Sequence, residues 1–184
     1  ASGSELSRVA GVTALSSPAA GSDGFIACTV FWTAAMDSAW LAAGAGSTLT
    51  SCSAKDNAGT HGIYPGVGST LTGCTAYSNS VEFGIRADDR STLTNCTSAL
   101  NTSAAADSWG ISTGTQCTIS QCTVNGNLNT NGTPSDSTGG GILAGTSSNV
   151  QNCTVIGNRG DGIRISRIPV SSVTPATAVG LAGA

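Results

Sequence analysis

The densest charge in this chain is the pentapeptide RADDR, which sets Arg86, Asp88, Asp89 and Arg90 side by side. Its arginines could face the carboxylate of a uronate sugar, and its adjacent aspartates could hold calcium through hard oxygen ligands. A base beside a cation-neutralised carboxylate is what β-elimination on an acidic sugar requires. Hydrolysis of a glycoside calls instead for two carboxyl groups roughly 5 to 9.5 Å apart. Successive residues of a strand point to opposite faces, so Asp88 and Asp89 share a site only where a turn intervenes. Ordinary solvation of four surface charges is the competing reading. Asp107, Trp109 and Asp136 stand out from small polar sequence further along and are candidates for sugar or ion contact, Trp109 as a ring to stack on a sugar or to cover an exposed edge. The single histidine, His61, stands two before Ile63, whereas Asp88 stands three after Ile85. That offset predicts up to ~16 Å of extended strand between them and no direct partnership. No Gly-x-Ser-x-Gly elbow marks a nucleophilic serine.

Seven cysteines raise redox and metal chemistry next. Six of them, Cys28, Cys52, Cys74, Cys96, Cys122 and Cys153, hold one position of a repeat, and Asn57, Asn79, Asn101, Asn127 and Asn158 follow the last five at a constant distance. No Cys-x₂-Cys pair occurs and His61 is out of phase with the cysteines, so no metal set is predicted. Equivalent residues of stacked strands lie about 4.8 Å apart. A disulfide wants Cβ atoms nearer ~3.8 Å. The spacing therefore predicts a column of buried thiols packing as small hydrophobes. Cys117 differs: it takes the place of Ser47, Ser69 and Ser91, as an exposed thiol or one making an unusual cross-turn contact. The asparagines are read as architectural, because asparagine tolerates left-handed turns and its amide can bond both backbone and the next asparagine along a stack. Neither column is expected to be catalytic.

Both columns belong to a register that spans most of the chain. Leu49, Leu71, Leu93, Ile119 and Val150 each stand three before a cysteine, and Leu41, Ile63, Ile85, Ile111 and Ile142 each stand eight before a member of that series. The column cysteines recur every 22 to 31 residues. Periods of that size mark a solenoid whose repeats bury their apolar faces by stacking. Sustained 3.6-residue periodicity is missing, and stretches such as STLTGCTA alternate, so the repeats are strands. Ile63, Ile85, Ile111, Ile142 and Ile163 are predicted to form one inward stack and the Leu49 series a second. The glycines ahead of those isoleucines are predicted to sit where backbone crowding or a positive φ favours glycine.

The pattern GST(L/V)xxCTAxxNxxxGI resembles the right-handed parallel β-helix repeats of the pectate-lyase-like superfamily, especially those of large secreted bacterial proteins. The resemblance covers about three quarters of the chain. It implies an all-β, single-stranded right-handed parallel β-helix of about six coils with short terminal caps, and an extracellular or cell-surface, bacterial setting. The Asp-Asp pair is similar to that of polygalacturonase-like members, but the accompanying Gly-His-Gly and Arg-Ile-Lys are replaced by THG at residues 60–62 and RIS at 164–166.

Composition narrows the partners. Seven Lys and Arg against ten Asp and Glu give a formal charge of -3 and no basic face, which disfavours nucleic acid. No run approaches the roughly 20 apolar residues of a membrane span. Residues 1–24 read as an N-terminal cap or lid, with Leu6, Val9 and Val12 at helical intervals, and 25–166 as the β-helix. Residues 167–184 read as an apolar tail that lies on the solenoid or on a partner subunit, since Ser171 breaks the eight-residue step. Low surface charge opposes self-association weakly. The expected function is a non-enzymatic structural module forming a homo-oligomer or filament; the alternative is a module that binds or cleaves an acidic polysaccharide, with calcium as the one candidate cofactor.

Overall fold

Threonine or serine on either side of one large aliphatic residue, as in Thr48–Thr50 and Thr70–Thr72, gives a three-residue strand that buries only its middle side chain. A chain of such strands can close a core only by coiling and stacking. A computed structural model describes residues 41–105, 107–130 and 139–166 in full, and the backbone of strands Phe25–Ile26, Thr29–Phe31, Ser172–Thr174 and Thr177–Leu181. The strands form three parallel sheets wound into one solenoid. Sheet A stacks Phe25–Ile26, Thr48–Thr50, Thr70–Thr72, Thr92–Thr94, Thr118–Ser120, Asn149–Gln151 and Ser172–Thr174. Sheet B stacks Thr29–Phe31, Ser53–Lys55, Thr75–Tyr77, Thr97–Ala99, Thr123–Asn125, Thr154–Arg159 and Thr177–Leu181. Sheet C holds the longer strands Ala58–Pro65, Ser80–Ala87, Ser108–Thr113, Gly139–Ala144 and Asp161–Ile165, with Leu41–Ala43 ahead of them. Five complete turns are described, flanked by strands of a further turn at each end.

Each turn has three corners, and each corner is built alike. Between sheets A and B, Ser51, Gly73, Asn95, Gln121 and Asn152 have positive φ and immediately precede the five described column cysteines. Between B and C, Asp56, Ser78, Leu100, Gly126 and Gly157 do so and precede the asparagines. Between C and A, Gly46, Gly68, Arg90, Gln116 and Ser147 precede Ser47, Ser69, Ser91, Cys117 and Ser148. The left-handed residue reverses the chain, and the residue after it is turned inward and buried.

Leu49, Leu71, Leu93, Ile119 and Val150 form one fully buried stack, and Ile63, Ile85, Ile111 and Ile142 form another. Burying each of these side chains contributes roughly 1.5–3 kcal/mol. Ala54, Ala76, Ser98, Val124 and Val155 close the third side, each with 0% exposure. Glycine precedes the isoleucines because of crowding: at Gly84 an added Cβ would overlap Ser98 Oγ, and at Gly110 it would overlap Val124 Cγ1.

The eight-residue step does not end at Ile163; it lengthens. Val173 pairs with Val150 and Thr177–Leu181 pairs with Thr154–Arg159, so the parallel sheets run past residue 166. Residues 1–24, Cys28 and Asp136 lie outside the described residues.

Candidate functional site

The outer face of sheet C gathers most of the chemistry-bearing residues. Pairing places His61 opposite Phe83 and Phe83 opposite Trp109, so these three share one column. Arg86 lies opposite Ser112 in the adjacent outward column. The His61 ring stacks on Tyr64 at 4.8 Å and on Phe83 at 5.6 Å, both at 17°. The Arg86 guanidinium lies 5.1 Å from the Phe83 centroid and 5.9 Å from that of Tyr64, within cation–π range. Tyr64 donates its hydroxyl to Asp88 Oδ2 at 2.8 Å. The strand offset between His61 and Asp88 is thus spanned by Tyr64, which touches both.

Electrostatics follow from this packing. Burial, and then the neighbouring positive charge of Arg86, lower the His61 pKa from 6.5 to about 4. The hydrogen bond to Asp88 raises Tyr64, with a further contribution from burial.

The RADDR cluster divides between two structural settings. Arg86 and Asp88 stay on the face of sheet C. Asp89 and Arg90 are exposed at the corner, where Asp89 Oδ1 accepts from the Thr115 amide of the next turn at 2.7 Å and Arg90 has a φ of 59°. Among the described residues, no ion pair involves any of these four charges. No group of three or more His, Cys, Asp or Glu among the described residues could hold a metal ion. Trp109 is only 2% exposed, and its Nε1 donates to Asp107 Oδ1 at 2.6 Å. It lines a shallow depression, with room for little more than a water molecule, together with Glu82, Ser103, Ser108, Leu128 and Asn129. Tyr64 and Phe83 were not among the residues singled out from sequence. Their signal was there, since Phe83 and Trp109 stand two before an isoleucine as His61 does, and Tyr64 and Arg86 each follow one.

The inner columns are continuous. The Nδ2 of each of the first four asparagines donates to the Oδ1 of the asparagine on the following turn, at 2.9 Å from Asn57 to Asn79 and 2.8 Å for Asn79 to Asn101, Asn101 to Asn127 and Asn127 to Asn158. The same Oδ1 atoms accept the backbone amides of the preceding asparagines at 2.9 to 3.1 Å. A third column runs through the C-to-A corner: Ser47 N donates to Ser69 Oγ, Ser69 N to Ser91 Oγ, Ser91 N to Cys117 Sγ and Cys117 N to Ser148 Oγ. Cys117 is therefore buried, and it makes the cross-turn contact of a serine, donating in turn to the Asp88 carbonyl at 3.3 Å. Burial raises its thiol. In the main cysteine column, the adjacent thiols of neighbouring turns, and then burial, push Cys96 and Cys122 up to about 12 and raise Cys74. Cys153, beside Cys122, is lowered to about 7.

Parallel turns in continuous register decide the relationship to known proteins, and a family model described as right handed beta helix region matches residues 19–172. The chain belongs to the right-handed β-helix family. No curated protein and no solved structure gives a significant match. Membership of the right-handed β-helix family fixes the architecture; the architecture alone assigns no activity, which must come from side chains on its faces.

Proposed function

We propose that this chain is a non-enzymatic structural module of an extracellular, bacterial β-helix protein, and that copies associate through their ends or through residues 167–184. The observation that carries this reading is where the polar groups go: cysteine, asparagine and serine columns occupy all three corners of the described turns and are consumed in holding one turn to the next. The formal charge of -3 and the 9% of charged residues leave little repulsion between copies. Placement outside the cell rests on the resemblance to secreted bacterial repeats. Light scattering over a concentration series, with negative-stain images of the same samples, tests the proposal. A fixed oligomer or fibres are expected; a strict monomer at high concentration overturns it.

A second reading, contact with an acidic polysaccharide, is favoured by Arg86. Its guanidinium is held against two rings and has no acidic partner among the described residues. Titration with oligomers of a uronic acid, and with neutral oligomers of equal length, should then show binding of the acidic series alone and its loss in Arg86→Ala. Equal response to both series sinks this reading.

A further inference from the structure

The cysteine column has chemistry that neither reading above uses. Cys52, Cys74, Cys96, Cys122 and Cys153 occupy one position on consecutive turns, are all 2% exposed or less, and form no disulfide. Pairing on both sides fixes their register, Leu49 to Leu71 to Leu93 to Ile119 to Val150 on sheet A and Ser53 to Thr75 to Thr97 to Thr123 to Thr154 on sheet B. Four of these sulfurs reach back along the solenoid axis to a carbonyl of the turn before: Cys74 to Leu49 at 3.5 Å, Cys96 to Leu71 at 3.7 Å, Cys122 to Leu93 at 3.8 Å and Cys153 to Ile119 at 3.7 Å.

Stacking sets equivalent atoms about 4.8 Å apart. Sulfurs at that separation are far from the ~2.05 Å of a disulfide. A metal–thiolate bond is about 2.3 Å, so one ion midway between two sulfurs spans about 4.6 Å in a straight line. Zinc requires four ligands in a tetrahedron. Two-coordinate geometry requires only the two sulfurs, and sulfur ligands select soft ions such as copper(I).

We propose that neighbouring sulfurs of this column hold a soft monovalent cation, copper(I) or silver(I), in linear two-coordinate bridges. In each bridge one thiol loses its proton to water and binds as thiolate, while its neighbour binds through a sulfur lone pair with its proton retained. One S–H bond breaks, two metal–sulfur bonds form, and nothing is oxidised or reduced. One positive ion with one thiolate leaves the site neutral, which suits a core cluster made only of aliphatic residues and cysteine. Entry is short, because Ser51, Asn95, Gln121 and Asn152, each just before a column cysteine, are exposed. Five described cysteines provide two separate pairs.

The test titrates the folded, reduced protein with silver(I), and anaerobically with copper(I) against a competing chelator. It reads retained ions by native mass spectrometry, together with proton release and melting temperature. At least two ions per chain, one proton released per ion and a raised melting temperature are expected. Cys117→Ser, outside the column, should retain them all. Combined Cys52→Ala, Cys96→Ala and Cys153→Ala, which leaves no two neighbours, should retain none. Failure of the folded wild type to retain ions, uptake only after denaturation, or loss of the ions in Cys117→Ser overturns the proposal, whether or not the triple variant folds.

Discussion

At the scale of the residue, polar side chains in this protein act through neighbours one turn away. Asn101 shows the consequence. Its Oδ1 accepts two N–H groups from Asn79, and its Nδ2 donates to Asn127 Oδ1 and to the Ala76 carbonyl. Asn101→Ala leaves the buried Asn79 amide without its acceptor and removes one of the two bonds to Asn127 Oδ1, and chemical denaturation should show a loss of about 3 kcal/mol. Asn101→Asp keeps the acceptor but turns an oxygen toward Asn127, so its carboxyl pKa should rise above the usual ~3.9. A carboxyl raised by folding loses stability as pH rises through that value, so this variant should lie closer to wild type at acid pH than at neutral pH. Comparison of denaturation midpoints at the two pH values checks it. His61 has the opposite sign. Its folded pKa is lowered to about 4 from 6.5, so its contribution is complete above 6.5 and disappears as pH falls toward 4. The loss of wild-type stability across that interval should be smaller in His61→Gln, measured by thermal melts at steps of pH; an unchanged slope would place the proton uptake elsewhere.

At the scale of the element, strands are short because the corners set their ends. Every described turn reverses at left-handed residues, and ten of these are not glycine. Left-handed backbone costs a residue with a side chain roughly 1–2 kcal/mol. Leu100 is the least suited by type, with a φ of 53° and 48% exposure. Leu100→Gly relieves that cost against the greater freedom of glycine in the unfolded chain, and a net gain of about 0.5–1 kcal/mol is expected from urea denaturation. A loss would mean that the contact of Leu100 over Gly126 outweighs the backbone term. The strands themselves were legible in the sequence because one aliphatic residue recurs in each at a fixed distance from a cysteine, Leu49 before Cys52 and Leu71 before Cys74. The corners were less so. Asparagine was read as a residue that tolerates left-handed turns and bonds along a stack; Ser78 and Leu100 take the left-handed position, and Asn79 and Asn101 are the inward residues that follow. Only Gly73, Gly126 and a few others announce such a corner by type.

At the scale of the whole molecule, the solenoid was readable because its core repeats linearly in sequence. The outer face of sheet C was harder to read, since contacts there join residues of different turns. Tyr64 meets Asp88 and His61 meets Phe83 only once coil lengths are aligned, and side chains long enough to cross columns defeat counting along one strand. The inserts near Trp109 obey no repeat; the indole's burial and its bond to Asp107 come from packing that no spacing encodes.

The three corners, each followed by its own column, also make length a quantity that comes in whole units. Removing residues 66–87 joins Pro65 to Asp88, both at the sheet C edge of their turns, and leaves the cysteine, asparagine and serine columns each shorter by one member but unbroken. Removing a single residue inside Thr70–Thr72 turns Cys74, Asn79 and everything between them to the wrong side of the wall. Circular dichroism and thermal melting of the two deletions should therefore rank them against intuition, with the loss of 22 amino acids tolerated better than the loss of one. A gene for such a protein can lengthen or shorten by duplication of whole turns, and single-codon changes of length in its strands are the ones it must avoid.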